Sequence, residues 1–306
     1  MRFGVHTGLQ NTTTDELQAL WRRIEALGFD WISIWDHFYS ADATLAPDGT
    51  ITSGTHCLEA LTAHTALALS TERVTCGSLV YCAGYRHPAV LANAMATLDH
   101  LASGRVVLGL GSGWHQGEFA AYGIPFPSAG ERLRMLDEYV RCVRALLTQE
   151  SVDLKGQWFT LTDAHCDPKP LQDPLPIWIG GGGERRTLRT VAEQADGWNL
   201  AFVTPEVFAR KRAVLDQHCD DVGRDPATIA RSVNLTLVRD DDELERRFGG
   251  QASFVGPSCL RGTSQEIVDR VGEYRDAGAE WIILALRAPF VADDLERFAT
   301  EVVPAF

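Results

Sequence analysis

Eight short apolar runs punctuate the chain, and between them the apolar residues recur at helical spacing. Arg2 to His6 reads as a first strand. From Thr14 to about Leu27, the residues Leu17, Leu20, Trp21, Ile24 and Leu27 share one helical face, and Gly28 ends the helix. Trp31 to Trp35, Val74 to Val80 and Arg105 to Leu110 are the next strands. Helices over Leu58 to Leu69 and Pro88 to Leu101 separate them, the latter with proline in its first turn. A long amphipathic helix follows over Glu131 to Leu147. Alternation around Gly156 predicts a small hairpin within 151–162, and Pro168, Pro170, Pro174 and Pro176 mark an extended connection.

Four more strands complete the pattern, at Ile177 to Ile179, Gly197 to Phe202, Ser232 to Val238 and Trp281 to Leu286. Helices over Arg185 to Gln194, Pro205 to Val222, Ser264 to Ala277 and Asp293 to Val303 alternate with them, with Ser264 near a cap. Residues 38–56 read as a loop too long for a simple connection, hence a lid or site-lining segment. Residues 239–262 read as irregular, and their acidic run Asp240 to Glu243 as solvated surface. Eight strands alternating with helices, with no linker-like break, predict one (β/α)8 TIM barrel over residues 1–306 with insertions in its strand-to-helix loops. The competing doubly wound sheet lacks a GxGxxG after the first strand.

Composition changes this picture little. Hydrophobic residues make up 45% of the chain and charged ones 23%, as in ordinary soluble domains. No stretch reaches the roughly 18 uncharged apolar residues of a membrane span. The first residues, MRFGVHTGLQ, carry no signal-peptide pattern. The net charge of −13 argues against nucleic-acid and anionic-membrane partners. The seven cysteines are scattered without a CxxC pair, and Cys76, Cys82 and Cys142 read as small buried hydrophobes. The expectation is a cytoplasmic protein with a small-molecule substrate and a homodimer as the assembly to consider.

Chemistry gathers at the strand ends, which a barrel brings to one face. The first strand offers His6, the second Asp36 and His37, and the third Ser78 to Tyr81. The fourth, in RVVLGLGSGWHQGEF, opens through Gly109, Gly111 and Gly113 into Ser112, Trp114, His115 and Glu118; glycines at alternate positions let a ligand or another backbone approach. The fifth offers Gly180 to Gly183, the sixth Trp198 and Asn199, the eighth Arg287. Histidines and Asp36 are metal-ligand types, but without HxH or HExxH spacing no metal site is expected. Gly180 to Gly183 lead into a helix beginning Glu184, Arg185, Arg186. Exposed N–H groups and guanidinium donors there suit an anion, hence a phosphate-bearing cofactor.

GLGSGWHQGEFAAYGIPFPSAGERLRML, the upstream YRHPAVLANAMATLDHLASGR, PIWIGGGGERRTLRTVAEQADGWNL and WDHF at 35–38 closely resemble the luciferase-like monooxygenase superfamily. Within it they look most like the branch using coenzyme F420, an 8-hydroxy-5-deazaflavin. The resemblance runs to about residue 220 and weakens beyond 225. It implies a deazaflavin in the barrel mouth, with Asp36 and His37 beside the reactive ring and a non-prolyl cis peptide at Ser78–Leu79 forming a bulge behind it. Tyr81, Ser112, Gly113, Trp114 and His115 would contact the cofactor, and Gly180, Gly181, Gly182, Gly183 and Arg185 its phosphate-bearing tail. Trp35, Phe38, Glu118, Trp198 and Asn199 would face the substrate.

The chain departs from the family's sugar-phosphate dehydrogenases, which carry a lysine just after the sixth strand and a glutamate right after the fourth-strand Ser/Thr-Gly. Here those regions read NLAFVT and Trp114, which argues for an apolar or aromatic substrate. Hydride transfer to or from such a molecule also moves a proton. His37 is the first choice for that role and His115 the second. The alternatives are an FMN-dependent luciferase-like monooxygenase and, from another class, a non-catalytic flavin-binding protein.

Overall fold

The computed structural model describes residues 1–40, 43 and 52–306. Eight parallel strands close on themselves: β1 (Arg2–Thr7), β2 (Trp31–Ile34), β3 (Thr75–Ser78), β5 (Val106–Gly111), β8 (Ile177–Gly180), β9 (Gly197–Ala201), β10 (Ala230–Leu235) and β11 (Trp281–Leu286). β11 pairs with β1 along its whole length, and Cys76 and Gly77 of β3 pair with Val106 and Val107 of β5, which seals the barrel. Helices α1 (Thr14–Ala26), α2 (Ala60–Ser70), α3 (Pro88–Leu101), α5 (Ala129–Thr148), α6 (Thr187–Gln194), α7 (Pro205–Val222) and α10 (Ser264–Asp276) return the chain between strands. The expected (β/α)8 barrel is what forms.

Strand periodicity splits the core in two. Phe3, Val5, Ile32, Ile34, Leu108, Ile177 and Ile179 point outward and join the helices in one large core. The alternate residues fill the barrel. Its lower half is closed by three tryptophans: Trp31 stacks on Trp178 at 4.7 Å, and Trp281 meets both edge-on. Gly77 and Gly197 leave the space that Trp31 and Trp178 occupy. The upper half, towards the C-terminal ends of the strands, stays open.

Several boundaries differ from the sequence reading, each for a local reason. The third strand is interrupted: β3 ends at Ser78, the Leu79–Val80 peptide is cis, and a short β4 (Tyr81–Cys82) resumes against β5. The cis bond therefore lies one residue beyond Ser78–Leu79. An unexpected helix α4 (Gln116–Ala121) follows β5, and the hairpin β6 (Val152–Lys155) and β7 (Thr160–Ala164) forms as expected. α1 starts at Thr14 as expected, capped by Thr13, and α10 starts at Ser264, capped by the adjacent Thr263, both in reciprocal capping boxes. α6 starts at Thr187, so Arg185 and Arg186 precede it. The last helix, α11 (Ala292–Arg297), gives way to a π turn over Phe298–Val302.

The largest departure is residues 239–262. They fold into α8 (Asp241–Phe248) and α9 (Ala252–Val255), with a small core of Val238, Leu244, Phe248, Ala252, Val255 and Cys259. Asp240, Asp241 and Asp242 of the acidic run are exposed as expected, though Asp240 also accepts the Glu243 N–H as N-cap; Glu243 departs from the expectation, buried and paired with Arg247 at 2.6 Å. Most of the loop read at 38–56 lies outside the described residues.

Candidate active site

The strand ends enclose a cavity of about 650 Å3. One wall is the bulge between β3 and β4. Ser78 Oγ donates to the Gly109 carbonyl (3.2 Å) and accepts the Gly109 N–H (2.9 Å), which ties the bulge to β5. A Cβ on Gly109 would strike the Ser78 carbonyl, and one on Gly111 or Gly180 would come within 2.5 or 2.8 Å of Val80. The alternate glycines thus admit another backbone and Val80, and Leu79 and Val80 present an apolar surface to the cavity.

Trp35, Asp36 and His37 follow β2 and line the next wall. Asp36 Oδ2 accepts from the Cys82 N–H (2.9 Å) and Arg86 Nη1 (2.6 Å), while its buried Oδ1 has no partner among the described residues. Burial pushes the Asp36 carboxyl up, with Arg86 and the Cys82 N–H pulling the other way. His37 Nδ1 lies 2.8 Å from Glu118 Oε2, which also accepts from the Tyr85 hydroxyl at 2.6 Å. Glu118 Oε1 accepts the N–H groups of Phe38 (2.7 Å) and Tyr39 (2.9 Å). Burial alone would raise the Glu118 carboxyl, but these donors, led by His37, hold it below its usual value. A buried carboxylate so placed makes His37 Nδ1 the donor and leaves Nε2 for the cavity.

The far wall comes from β9, β10, β11 and the α8–α9 segment. Phe202, at φ 54°, and Phe254 face the cavity beside Gly250 and Gln251. Arg287 Nη2 donates to Gln251 Oε1 (2.7 Å), and its guanidinium lies over the rings of Phe248 and Trp35. Asn199 Nδ2 donates to Ser232 Oγ (2.8 Å) and Asn234 Oδ1 (2.9 Å). At the rim, the first turn of α6 has no side-chain cap, and Lys211 stands beside Gly182 and binds Glu184 at 2.8 Å. A helix start without a side-chain cap, with a lysine alongside, can hold an anion.

A family model described as luciferase-like monooxygenase matches residues 1–254. The chain belongs to the luciferase-like monooxygenase family. An F420-dependent glucose-6-phosphate dehydrogenase of Intrasporangium calvum is 36% identical over 317 residues, covering 92% of each chain. An FMNH2-dependent dimethylsulfone monooxygenase of Pseudomonas putida is 29% identical over 219 residues, covering 67% of this chain and 60% of the relative. The chain spans 44% of the length of the first curated relatives it matches, which are mycobacterial. Among solved structures, an F420-dependent secondary alcohol dehydrogenase in complex with an F420-acetone adduct superposes with a TM-score of 0.85. That match has 20% identity and covers 99% of this chain and 98% of that one, a likeness of fold.

Within this family member, the cavity gathers His6, Trp35, Asp36, His37, Leu79, Val80, Ser112, Gly113, Trp114, Gly180, Gly181, Asn199 and Arg287 from the residues singled out in sequence. Others stand elsewhere. Tyr81 points into the helix layer, where its hydroxyl meets His64 Nδ1 at 3.1 Å. Trp198 is buried against Phe208 and donates from Nε1 to the Gly181 carbonyl. Ser78 is spent on Gly109. His115 caps α4, accepting the Glu118 N–H on Nδ1, with burial lowering its pKa. Glu118 is fully buried behind His37 and not open to the cavity. Phe38 stacks on Tyr122 and leans tilted on Tyr85 outside it, and Gly182, Gly183 and Arg185 sit on the rim.

Sequence reasoning missed Arg86, Tyr85, Phe202, Asn234, Gln251 and Phe254. Asn234 had a signal, a polar residue inside an apolar strand at the period that faces the barrel. Phe254 had none, because its segment showed no regular apolar spacing.

Proposed function

We propose that the chain is an F420-dependent oxidoreductase that moves a hydride between the deazaflavin and a small apolar or aromatic molecule. The observation that carries this reading is the Glu118–His37 pair opening onto a cavity whose adjoining wall is the Leu79–Val80 bulge. The residues suit a flat, phosphate-bearing cofactor. Leu79 and Val80 offer an apolar backing, Asp36 Oδ1 a buried acceptor in need of a donor, and the α6 start with Lys211 an anion site. Bound there, F420 supplies the carbon that gives or takes the hydride.

The protein's own part is position, dryness and one proton. Ser112 and Gly113, with the Leu79–Val80 bulge, would line the place of the cofactor ring. His37 Nε2 takes the substrate proton in oxidation and returns it in reduction. Glu118 fixes the ring orientation and stabilises the imidazolium that forms. Trp114, Phe202 and Phe254 wall the remaining space with aromatic surface. Trp114 and the Ala201–Phe202 turn stand where the sugar-phosphate enzymes of the family carry Glu and Lys, which supports an apolar substrate over a sugar phosphate.

The Pseudomonas putida relative favours a second reading, an FMN-dependent monooxygenase. Titrating the purified protein with F420 and with FMN decides between them. Tighter F420 binding, with little oxygen consumption by the reduced complex, is expected. Equal or tighter FMN binding with oxygen uptake would replace the first reading by the second.

A further inference from the structure

We propose that His6 is a second working imidazole of this cavity, donating a hydrogen bond from Nε2 to an oxygen on the substrate. This rests on the oxidoreductase reading and narrows its substrate to an alcohol or carbonyl compound, with the oxygen on the reacting carbon.

His6 lies near the end of β1, in register with Ser33 of β2 and Ala285 of β11, and it is buried yet lines the cavity. Its Nδ1 is 2.9 Å from Ser33 Oγ, inside the barrel where Ser33 is fully buried. Ser33 Oγ has one proton to give, and His6 Nδ1 is the acceptor within reach. Satisfying that hydroxyl puts the imidazole proton on Nε2, the nitrogen left for the cavity. The ring meets Trp35 edge-on at 5.7 Å, and the same indole meets His37 edge-on at 5.6 Å. Two imidazoles therefore share one tryptophan wall.

The two are kept chemically distinct. His37 has the Glu118 carboxylate behind it, 2.8 Å from Nδ1. His6 has a neutral serine; burial first, then the nearby Arg287 and His37, bring its pKa down to about 3. It stays an uncharged donor at any ordinary working pH. A neutral imidazole N–H can stabilise a developing alkoxide without first giving up its proton to solvent. In oxidation the substrate C–H bond would break and its hydride would be taken by the deazaflavin that the Leu79–Val80 bulge and the α6 start would hold. The O–H proton goes to His37 Nε2, the C=O bond forms, and His6 Nε2–H holds the oxygen throughout. In reduction each step reverses. A purely structural histidine would not need a second nitrogen at the wall of the cavity, where an apolar ring of the same size would avoid the desolvation.

Acetophenone, an aromatic ketone, serves as a probe with the oxidised F420-loaded protein, where it cannot be reduced. Nitrogen-15 histidine spectra of the wild type should show His6 neutral and protonated on Nε2 from about pH 5 to 8, with that resonance moving as acetophenone is added. His6→Phe keeps the ring volume and should weaken acetophenone binding about threefold to tenfold, the loss of one uncharged hydrogen bond. F420 affinity should be unchanged, and His6→Gln should recover part of the loss. Protonation on Nδ1, an unmoved resonance, absence of acetophenone binding, or equal binding by His6→Phe would each overturn the proposal. The spectra need no variant and so stand even if His6→Phe fails to fold. If the protein takes FMN instead, the same titration on the FMN-loaded form still reads His6, so the two readings fail separately.

Discussion

Glu118→Gln tests the proton relay at its most constrained point. The carboxylate receives four donors: His37 Nδ1 and the Tyr85 hydroxyl on Oε2, and the N–H groups of Phe38 and Tyr39 on Oε1. An amide can keep only one oxygen. Left on the two backbone N–H groups, that oxygen puts the NH2 group against His37 and Tyr85. His37 must then accept on Nδ1 and carry its proton on Nε2, the wrong tautomer for a base facing the cavity. Lost charge-assisted bonds are worth about 1.5–3 kcal/mol each, and trapping a catalytic histidine in the wrong tautomer lowers turnover by up to about 10⁴. Turnover at saturating cofactor and substrate should therefore fall by about 10²–10⁴. The F420 dissociation constant should stay within about threefold, because Glu118 does not line the cavity. The assay is steady-state turnover followed through F420 absorbance, with cofactor titration and a melting curve on the same variant. Near wild-type turnover in a folded Glu118→Gln protein would refute the relay, and His115 would become the residue to test.

Gly182→Val should weaken cofactor binding more than tenfold, because its Cβ would lie 2.9 Å from Leu200, a cavity residue, and crowd the α6 start; if the melting temperature alone drops, the anion-site role falls. Trp114→Ala should raise the KM for an aromatic substrate about tenfold with turnover little changed, since an exposed aromatic wall contributes about 1–2 kcal/mol of contact; an unchanged KM would take Trp114 out of substrate recognition. Stability should decline as pH falls below the usual histidine range. Burial holds His6 at about 3 and His64 at about 4, so below 6.5 only the unfolded chain takes up these protons. Each histidine should then cost about 2 kcal/mol by pH 5. Urea midpoints from pH 7 to pH 5 check this, and a slope unchanged in His64→Leu would remove His64 from the account.

The barrel was legible because strand and helix periods are local: eight apolar runs and the helices between them predicted all eight barrel strands near their observed places. The strand-end rule then nominated Asp36, His37, Ser112 and Gly180 without any long-range information. Contact across the barrel was beyond that reach. Glu118 looked like a residue for substrate, yet α4 turns it inward onto His37, 81 positions away in sequence. Tyr81 and Trp198 looked open, yet strand pleating points both at the helix layer, and the direction of a side chain depends on register. The segment at 239–262 looked irregular because its small core is made with Phe202, far off in the chain. Sequence alone determined the order of elements and which strand ends could carry chemistry. Which atoms face one another across the cavity was decided by closure of the barrel, because hydrogen-bond partners and burial are properties of neighbours that the chain brings together only when folded.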